Sequence, residues 1–325
     1  MRVAVAIHDQ PVWTIPDSHV DRLRRAMPDD DIVHARTFAE RASALAGADI
    51  AFATKVTAEE FAGATRLQWV HSSAVGVGPI LSPALVASRV VVSSSRGVHS
   101  PAIAEHAIAL ILALRRQIHT SVRRQVVEDW AQIELSTIPI PPLASLNLLV
   151  VGLGSIGERV AAMAASLGMR VTAVRRQVSE PKPPGVAEVV SADRLADALP
   201  AADVVVLAVP QTDETRALVG RTELARMKPT AILVNVARGR LVDEDALADA
   251  LERGELGAAG LDAFRVEPLP AGHRLWRLPN VLITPHSASF AGDYWTPVVD
   301  LFLENVARFR RGDPLINVVD KTRGY

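Results

Sequence analysis

The chain has 325 residues, 35 Lys and Arg against 36 Asp and Glu, and no cysteine. That length suits two domains with separate apolar cores. The balanced charge gives no basis for nucleic-acid or anionic-membrane binding, and the lack of cysteine excludes disulfides, thiolate metal sites and cysteine nucleophiles. In chain order, residues 3–7, 50–53, 67–72 and 90–93 read as short buried strands separated by helical patterns. The first strand is too short an apolar run for a signal peptide. A helix is expected over 100–118, with Pro101 in its first turn and Glu105 complementing its dipole. Its apolar stretch, 108–114, is far shorter than the roughly 20 residues that span a bilayer. A stiff connector, Ile138-Pro139-Ile140-Pro141-Pro142, follows. Then come a strand over 148–151, a glycine-rich turn, a helix over 159–167 and a strand over 170–174. Strands over 204–209, 231–236, 257–261 and 281–284 complete a doubly wound sheet. A helix over 296–309 and the tail 317–320 are expected to return to the first domain. The fold class is therefore α/β: two Rossmann-like doubly wound domains with parallel sheets, the substrate domain (1–98 plus 290–325) being discontinuous around a dinucleotide-binding domain (99–289).

The turn reads Gly152-Leu153-Gly154-Ser155-Ile156-Gly157. Gly152 permits the tight bend, Gly154 lets backbone N–H groups approach a pyrophosphate, and Gly157 lets the next helix pack on the sheet. A bare G-x-G-x-x-G is a weak signal, but a strand before it and a helix and second strand after it supply the confirming context. About 20 residues past the first glycine an NAD enzyme needs an acid for the ribose hydroxyls. This chain has Arg175 and Arg176 there, which suit a 2′-phosphate, so NADP(H) is the preferred cofactor and NAD(H) remains admissible.

Ligands of such sheets bind outside the carboxyl ends of the strands. Arg238, Glu267 and His286 each follow a strand end. Taken singly these are an ordinary surface cation, a loop acid and a structural histidine. Together, beside a nucleotide cradle, they suit reversible hydride transfer at a 2-oxo acid: a guanidinium to hold carboxylate and carbonyl oxygens, an imidazole to deliver a proton, and a carboxylate to keep that imidazole charged.

The runs VNVARGRLVDEDAL (234–247), GLDAFRVEPLP (260–270) and NVLITPHSAS (280–289), in that order after GLGSIG, resemble the D-isomer-specific 2-hydroxyacid dehydrogenase family. GVHSPAIAEHAIALILAL (97–114) and SAVGVGPI (73–80) extend the likeness over nearly the whole chain. The resemblance implies that Arg238 binds substrate, Glu267 partners the histidine, and His286 is the acid/base. It implies that the Val75 and Gly76 backbone N–H groups grip the substrate carboxylate, that two domains close over a cleft, and that a homodimer forms through residues 101–145. Cofactor contacts implied in the same way are Ser155 and Ile156 at the pyrophosphate; Val209, Pro210 and Thr215 beside the adenosine and ribose; and Val236, Ala237, Asp262 and Ser100 toward the nicotinamide. For Thr215 a helix-start cap is the alternative. Ala74 and Gly78 depart from the Gly and Asp common in the family. Ala51 and Phe52 stand where relatives acting on phosphoglycerate tend to carry Arg and Ser. With the chain ending soon after the returning helix, no C-terminal regulatory domain is expected.

The resulting expectation is a cytoplasmic, NADPH-preferring reductase of a small 2-oxo acid such as glyoxylate or hydroxypyruvate, giving a D-2-hydroxy acid, with no metal, nucleic-acid or membrane partner. The alternatives are a phosphite or formate dehydrogenase-like enzyme, although formate enzymes place Gln where Glu267 stands, and a dinucleotide-sensing corepressor. Trp13, Trp69, Trp276, Tyr294 and Trp295 are aromatic candidates for the pocket, though aromatics are more often core.

Overall fold

The middle strands of this chain are short, apolar and covered on both faces, the pattern of parallel sheets sandwiched by helices. The computed structural model describes residues 1–7 and 13–325. The chain divides into two units, Met1–His99 with Ala291–Tyr325, and Ser100–Phe290.

The first unit holds β1 (Arg2–Ala6), β2 (Asp31–His34), β3 (Ile50–Ala53), β4 (Trp69–Ser72) and β5 (Val91–Ser94). They form a parallel sheet in the order β2-β1-β3-β4-β5. Helix Trp295–Arg311 buries Trp295, Val298, Val299, Phe302 and Val306 in one core with Val3, Val5, Ile50, Phe52 and Trp69. Phe302 stacks on Phe52 at 4.2 Å between ring centroids. The C-terminal segment is thus built into the core of the N-terminal one. Beyond the helix, the Val319 N–H donates to the Val92 carbonyl at 2.8 Å, and Lys321 Nζ donates to the carbonyls of Leu85, Ser88 and Val90.

The second unit holds β6 (Asn147–Val151), β7 (Arg170–Arg175), β8 (Glu188–Ser191), β9 (Val204–Leu207), β10 (Ile232–Asn235), β11 (Ala258–Leu261) and β12 (Val281–Ile283). All seven are parallel, in the order β12-β11-β10-β9-β6-β7-β8. The order reverses between β6 and β9, and this switch point is where an open α/β sheet receives its ligand. Helix Ser100–Arg115 packs on helix Ser155–Ser166 and on β10 and β11. Among the described residues no helix is long and apolar enough to cross a membrane.

The expected helix over 100–118 is two helices. The first ends at Arg115, Gln117 takes φ 57°, and a second runs Ile118–Val126. The Gln117 side-chain amide spans the break: it donates to the Leu114 carbonyl at 3.4 Å, meeting one carbonyl of the first helix's last turn, and accepts from Thr120 Oγ1 at 3.0 Å without capping a backbone N–H of the second helix. The sequence reading also missed β2 and β8. Both lie at sheet edges and are largely half-exposed, which leaves them without the unbroken apolar run that marks the central strands.

Candidate active site

Asn235 closes β10 as a buried amide after three apolar residues. Its Oδ1 accepts from the Ala237 N–H at 3.0 Å and its Nδ2 donates to the Arg238 carbonyl at 2.9 Å, a side-chain-made turn that fixes where Arg238 leaves the sheet. The next residue must be glycine. A Cβ at Gly239 would lie 1.9 Å from the Phe264 carbonyl carbon and 2.3 Å from the Arg265 nitrogen. The Arg238 turn therefore lies directly on the loop that leads to Glu267. Glu244, buried near the start of helix Glu244–Glu252, accepts from the Arg265 N–H and ties that loop down from the other side.

Glu267 and His286 meet across this arrangement. His286 Nδ1 lies 2.7 Å from Glu267 Oε2, and Glu267 Oε1 accepts from the Phe264 N–H at 2.8 Å. Burial works to raise the Glu267 carboxyl, but the His286 hydrogen bond, the Phe264 N–H and the His286 and Arg238 charges outweigh it, leaving the group below its ordinary value. An ionised carboxylate can only accept, so Nδ1 carries the hydrogen in this contact and Nε2 is the nitrogen able to exchange a proton with a ligand. Burial lowers the Arg238 guanidinium from its ordinary value, and the Glu267 charge opposes that shift. Arg238 NH1 also donates to the Ala237 carbonyl at 2.7 Å.

His286 sits at φ 53°, in the left-handed region, which a non-glycine residue keeps only when its surroundings hold it. Asp262 supplies much of that hold. Its Oδ1 accepts from Thr284 Oγ1 at 2.6 Å and from the Ser287 N–H at 2.9 Å, and its Oδ2 accepts from the Ala288 N–H at 3.0 Å. Three of its roughly four acceptor directions are thus taken by the His286 loop. His106 Nε2 reaches Thr284 Oγ1 at 2.9 Å from helix Ser100–Arg115.

The glycine turn fits a dinucleotide. Gly152 has φ 102° and a Cβ there would lie 2.6 Å from the Ala208 carbonyl oxygen; a Cβ at Gly157 would lie 1.9 Å from the Gly152 carbonyl oxygen. A Cβ at Gly154, the residue preceding helix Ser155–Ser166, meets nothing within 4 Å. Two glycines are thus needed for packing and the third leaves the helix N-terminus open to an anion.

Comparison with known proteins decides the family. Residues 108–288 match the family profile described as D-isomer specific 2-hydroxyacid dehydrogenase, NAD binding domain. A glyoxylate reductase of Korarchaeum cryptofilum is 35% identical over 273 residues, 82% of this chain and 80% of that protein. The chain belongs to the D-isomer-specific 2-hydroxyacid dehydrogenase family. It is an NAD(P)-dependent oxidoreductase. Two solved structures superpose closely: an NADPH-dependent glyoxylate/hydroxypyruvate reductase from Sinorhizobium meliloti in complex with NADP and sulfate (TM-score 0.85, 27% identity, covering 99% of each chain), and a D-lactate dehydrogenase from Aquifex aeolicus complexed with NAD and lactic acid (TM-score 0.82, 26% identity, covering 98% of this chain and 99% of that one).

For this 2-hydroxyacid dehydrogenase the structure sorts the remaining expected contacts. Ser155 and Ile156 open the helix at the glycine turn, and Ser100 Oγ donates to Ser155 Oγ at 2.9 Å, which sets Ser100 at the same turn. Val209 and Pro210 follow β9, and Val236 and Ala237 follow β10. Thr215 caps no helix. Its Oγ1 accepts from the Thr212 N–H and donates to the Pro210 carbonyl, both at 2.8 Å, closing the turn after β9. In the other unit Val75 and Gly76 follow β4 at its carboxyl end, and no described residue accepts from their N–H groups. Trp69 and Trp295 are core, Trp276 is exposed, and Trp13 contacts Tyr294 with ring centroids 5.5 Å apart. The sequence reading missed Asn235, Gly239 and Glu244 as supports. A polar residue ending an apolar strand was the one signal for Asn235.

Proposed function

We propose that this enzyme reduces a small 2-oxo acid of the glyoxylate or hydroxypyruvate type to a D-2-hydroxy acid, preferring NADPH. When bound, the nicotinamide supplies the hydride to C2. Arg238 holds the oxo acid through its planar fork and offsets charge developing on the C2 oxygen. His286 gives its Nε2 proton to that oxygen, and Glu267, ionised on Nδ1, keeps the ring oriented and favours its charged form. Asp262 acts mainly as the anchor of the His286 loop. The observation that carries this reading is the 2.7 Å contact between Glu267 and His286 on a loop fixed by Asp262, with the Arg238 turn seated against the segment leading to Glu267.

No acid stands at the end of β7, and Arg176, exposed just past it, is a cation suited to a 2′-phosphate, which supports NADPH over NADH. Relatives of both cofactor types exist, so the preference rests on this chain's own residues. Val126, Val127, Trp130 and Ile133 are 79%, 66%, 86% and 84% exposed, an apolar surface suited to a homodimer through residues 101–145. We place the enzyme in the cytoplasm.

The test is consumption of NADPH and NADH with a panel of 2-oxo acids, with chiral analysis of the product. Turnover of glyoxylate or hydroxypyruvate, a D-configured glycerate from the latter, and higher kcat/KM with NADPH are expected. An L-product, or no turnover with any oxo acid alongside tight dinucleotide binding, contradicts the reading. In the same assay Arg238→Lys should lower kcat/KM for the oxo acid by about 100-fold, because an ammonium cannot reproduce the two-point fork. Sedimentation velocity reports the oligomeric state, and a monomer at micromolar concentration contradicts the dimer.

A further inference from the structure

The two arginines that follow one another at the end of β7 do different things. The Arg175 side chain is 9% exposed. Its guanidinium donates to the Glu180 carbonyl, to the Pro181 carbonyl at 3.2 Å and to the Glu180 carboxylate at 3.3 Å. It is committed to the loop that leaves β7. Arg176 is exposed and pairs at 3.2 Å with Glu214, in the turn that follows β9. The sheet order is β9-β6-β7. A pair joining the loops after β7 and β9 therefore reaches over the end of β6, where the glycine turn begins, and bridges the switch-point crevice in which this fold holds its dinucleotide.

A guanidinium recognises carboxylate and phosphate by the same charge-assisted geometry. Glu214 thus presents to Arg176, from within the protein, the kind of anion that the 2′-phosphate of NADP(H) would present. We propose that Glu214 is an internal competitor for that phosphate: Arg176 is the phosphate ligand, Arg175 is a loop anchor, and the Arg176–Glu214 pair limits how strongly the enzyme prefers NADPH. This rests on the dinucleotide reading of the glycine turn. When the phosphate takes over Arg176, Glu214 is left beside a second anion, so its removal relieves both competition and repulsion. NADH brings no such phosphate and gains little.

The experiment is equilibrium titration of NADPH and NADH by nicotinamide fluorescence at low ionic strength, on wild type, Glu214→Gln, Arg176→Gln and Arg175→Lys. Taking the ratio of the two Kd values on one sample cancels any loss of folded protein. Glu214→Gln should tighten NADPH by about three- to fivefold, the upper range for an exposed pair, and change NADH less than about twofold, with the difference shrinking in high salt. Arg176→Gln should weaken NADPH by roughly tenfold or more and spare NADH. Arg175→Lys should leave the ratio in place. If Glu214→Gln leaves both affinities unchanged, or if Arg175→Lys collapses the ratio while Arg176→Gln does not, the proposal is overturned and the dinucleotide reading stands. If wild type binds neither nucleotide, that reading fails and the proposal with it.

Discussion

At the scale of single residues, the proposed chemistry turns on one hydrogen-bonded pair. Burial works to raise the Glu267 carboxyl, but His286, the Phe264 N–H and Arg238 outweigh it and hold the group below its ordinary value, which favours its ionised form. Reduction needs the imidazole protonated, and an adjacent anion favours that form. Glu267→Gln keeps a hydrogen-bond acceptor on Nδ1 but removes the anion beside the ring. The alkaline limb of kcat/KM for the oxo acid should move down by about one pH unit. A limb that stays in place or moves up removes Glu267 from the proton step. Residue identity also shows where sequence reading stops. Arg175 and Arg176 are the same residue type side by side, and successive residues at a strand end face opposite ways; only burial separates the loop anchor from the exposed one.

Among elements, the site depends on how closely two loops pass. Gly239 lets the turn after β10 rest on the segment after β11, and the atoms it would strike are backbone, which cannot swing aside. Gly239→Ala should push the Arg238 and Glu267 loops apart. A misplacement near 1 Å costs on the order of 100-fold in rate, so kcat/KM for the oxo acid should fall by about that much while the NADPH Kd changes less than about twofold. Kinetics close to wild type would show that the contact is not needed. The central strands and the three strand-end residues were legible because apolar runs and the residues that stop them are local signals. The supports were not. Glu244 bonding the Arg265 N–H, and Asp262 bonding Thr284, Ser287 and Ala288, join residues about 20 or more positions apart through side chain to loop contacts that have no period. The break at Gln117 was hidden for the opposite reason: the helical pattern runs through it, and a single residue with left-handed backbone interrupts the helix.

For the molecule as a whole, the first loss of stability toward acid comes from imidazoles that take no part in the proposed chemistry. His71 is completely buried and pushed by burial to about 3, and His99 is pushed by burial to about 4. Trp69 Nε1 donates to Ser93 Oγ at 2.8 Å, so the Ser93 hydroxyl gives its hydrogen to His71 Nδ1 at 2.7 Å, and Nε2 faces Ser95 Oγ at 3.3 Å. The neutral ring satisfies that chain. Unfolded, each histidine titrates near its ordinary 6.5. Below that value the unfolded chain binds more protons, so stability is fully present above it and declines as pH falls toward the folded values. The urea midpoint should already drop between about pH 6.5 and 5, before carboxylates protonate, and His71→Gln should flatten that slope. A midpoint that stays level over this range contradicts it. The central claim, that His286 is the proton donor of a dinucleotide-dependent 2-oxo acid reductase, is tested most directly on His286→Ala, with NADPH Kd and steady-state turnover of glyoxylate and hydroxypyruvate measured on the same preparation. The expected result is NADPH affinity within about twofold of wild type and turnover lowered by roughly 100-fold or more. Turnover that survives the substitution, with NADPH still bound, would contradict it.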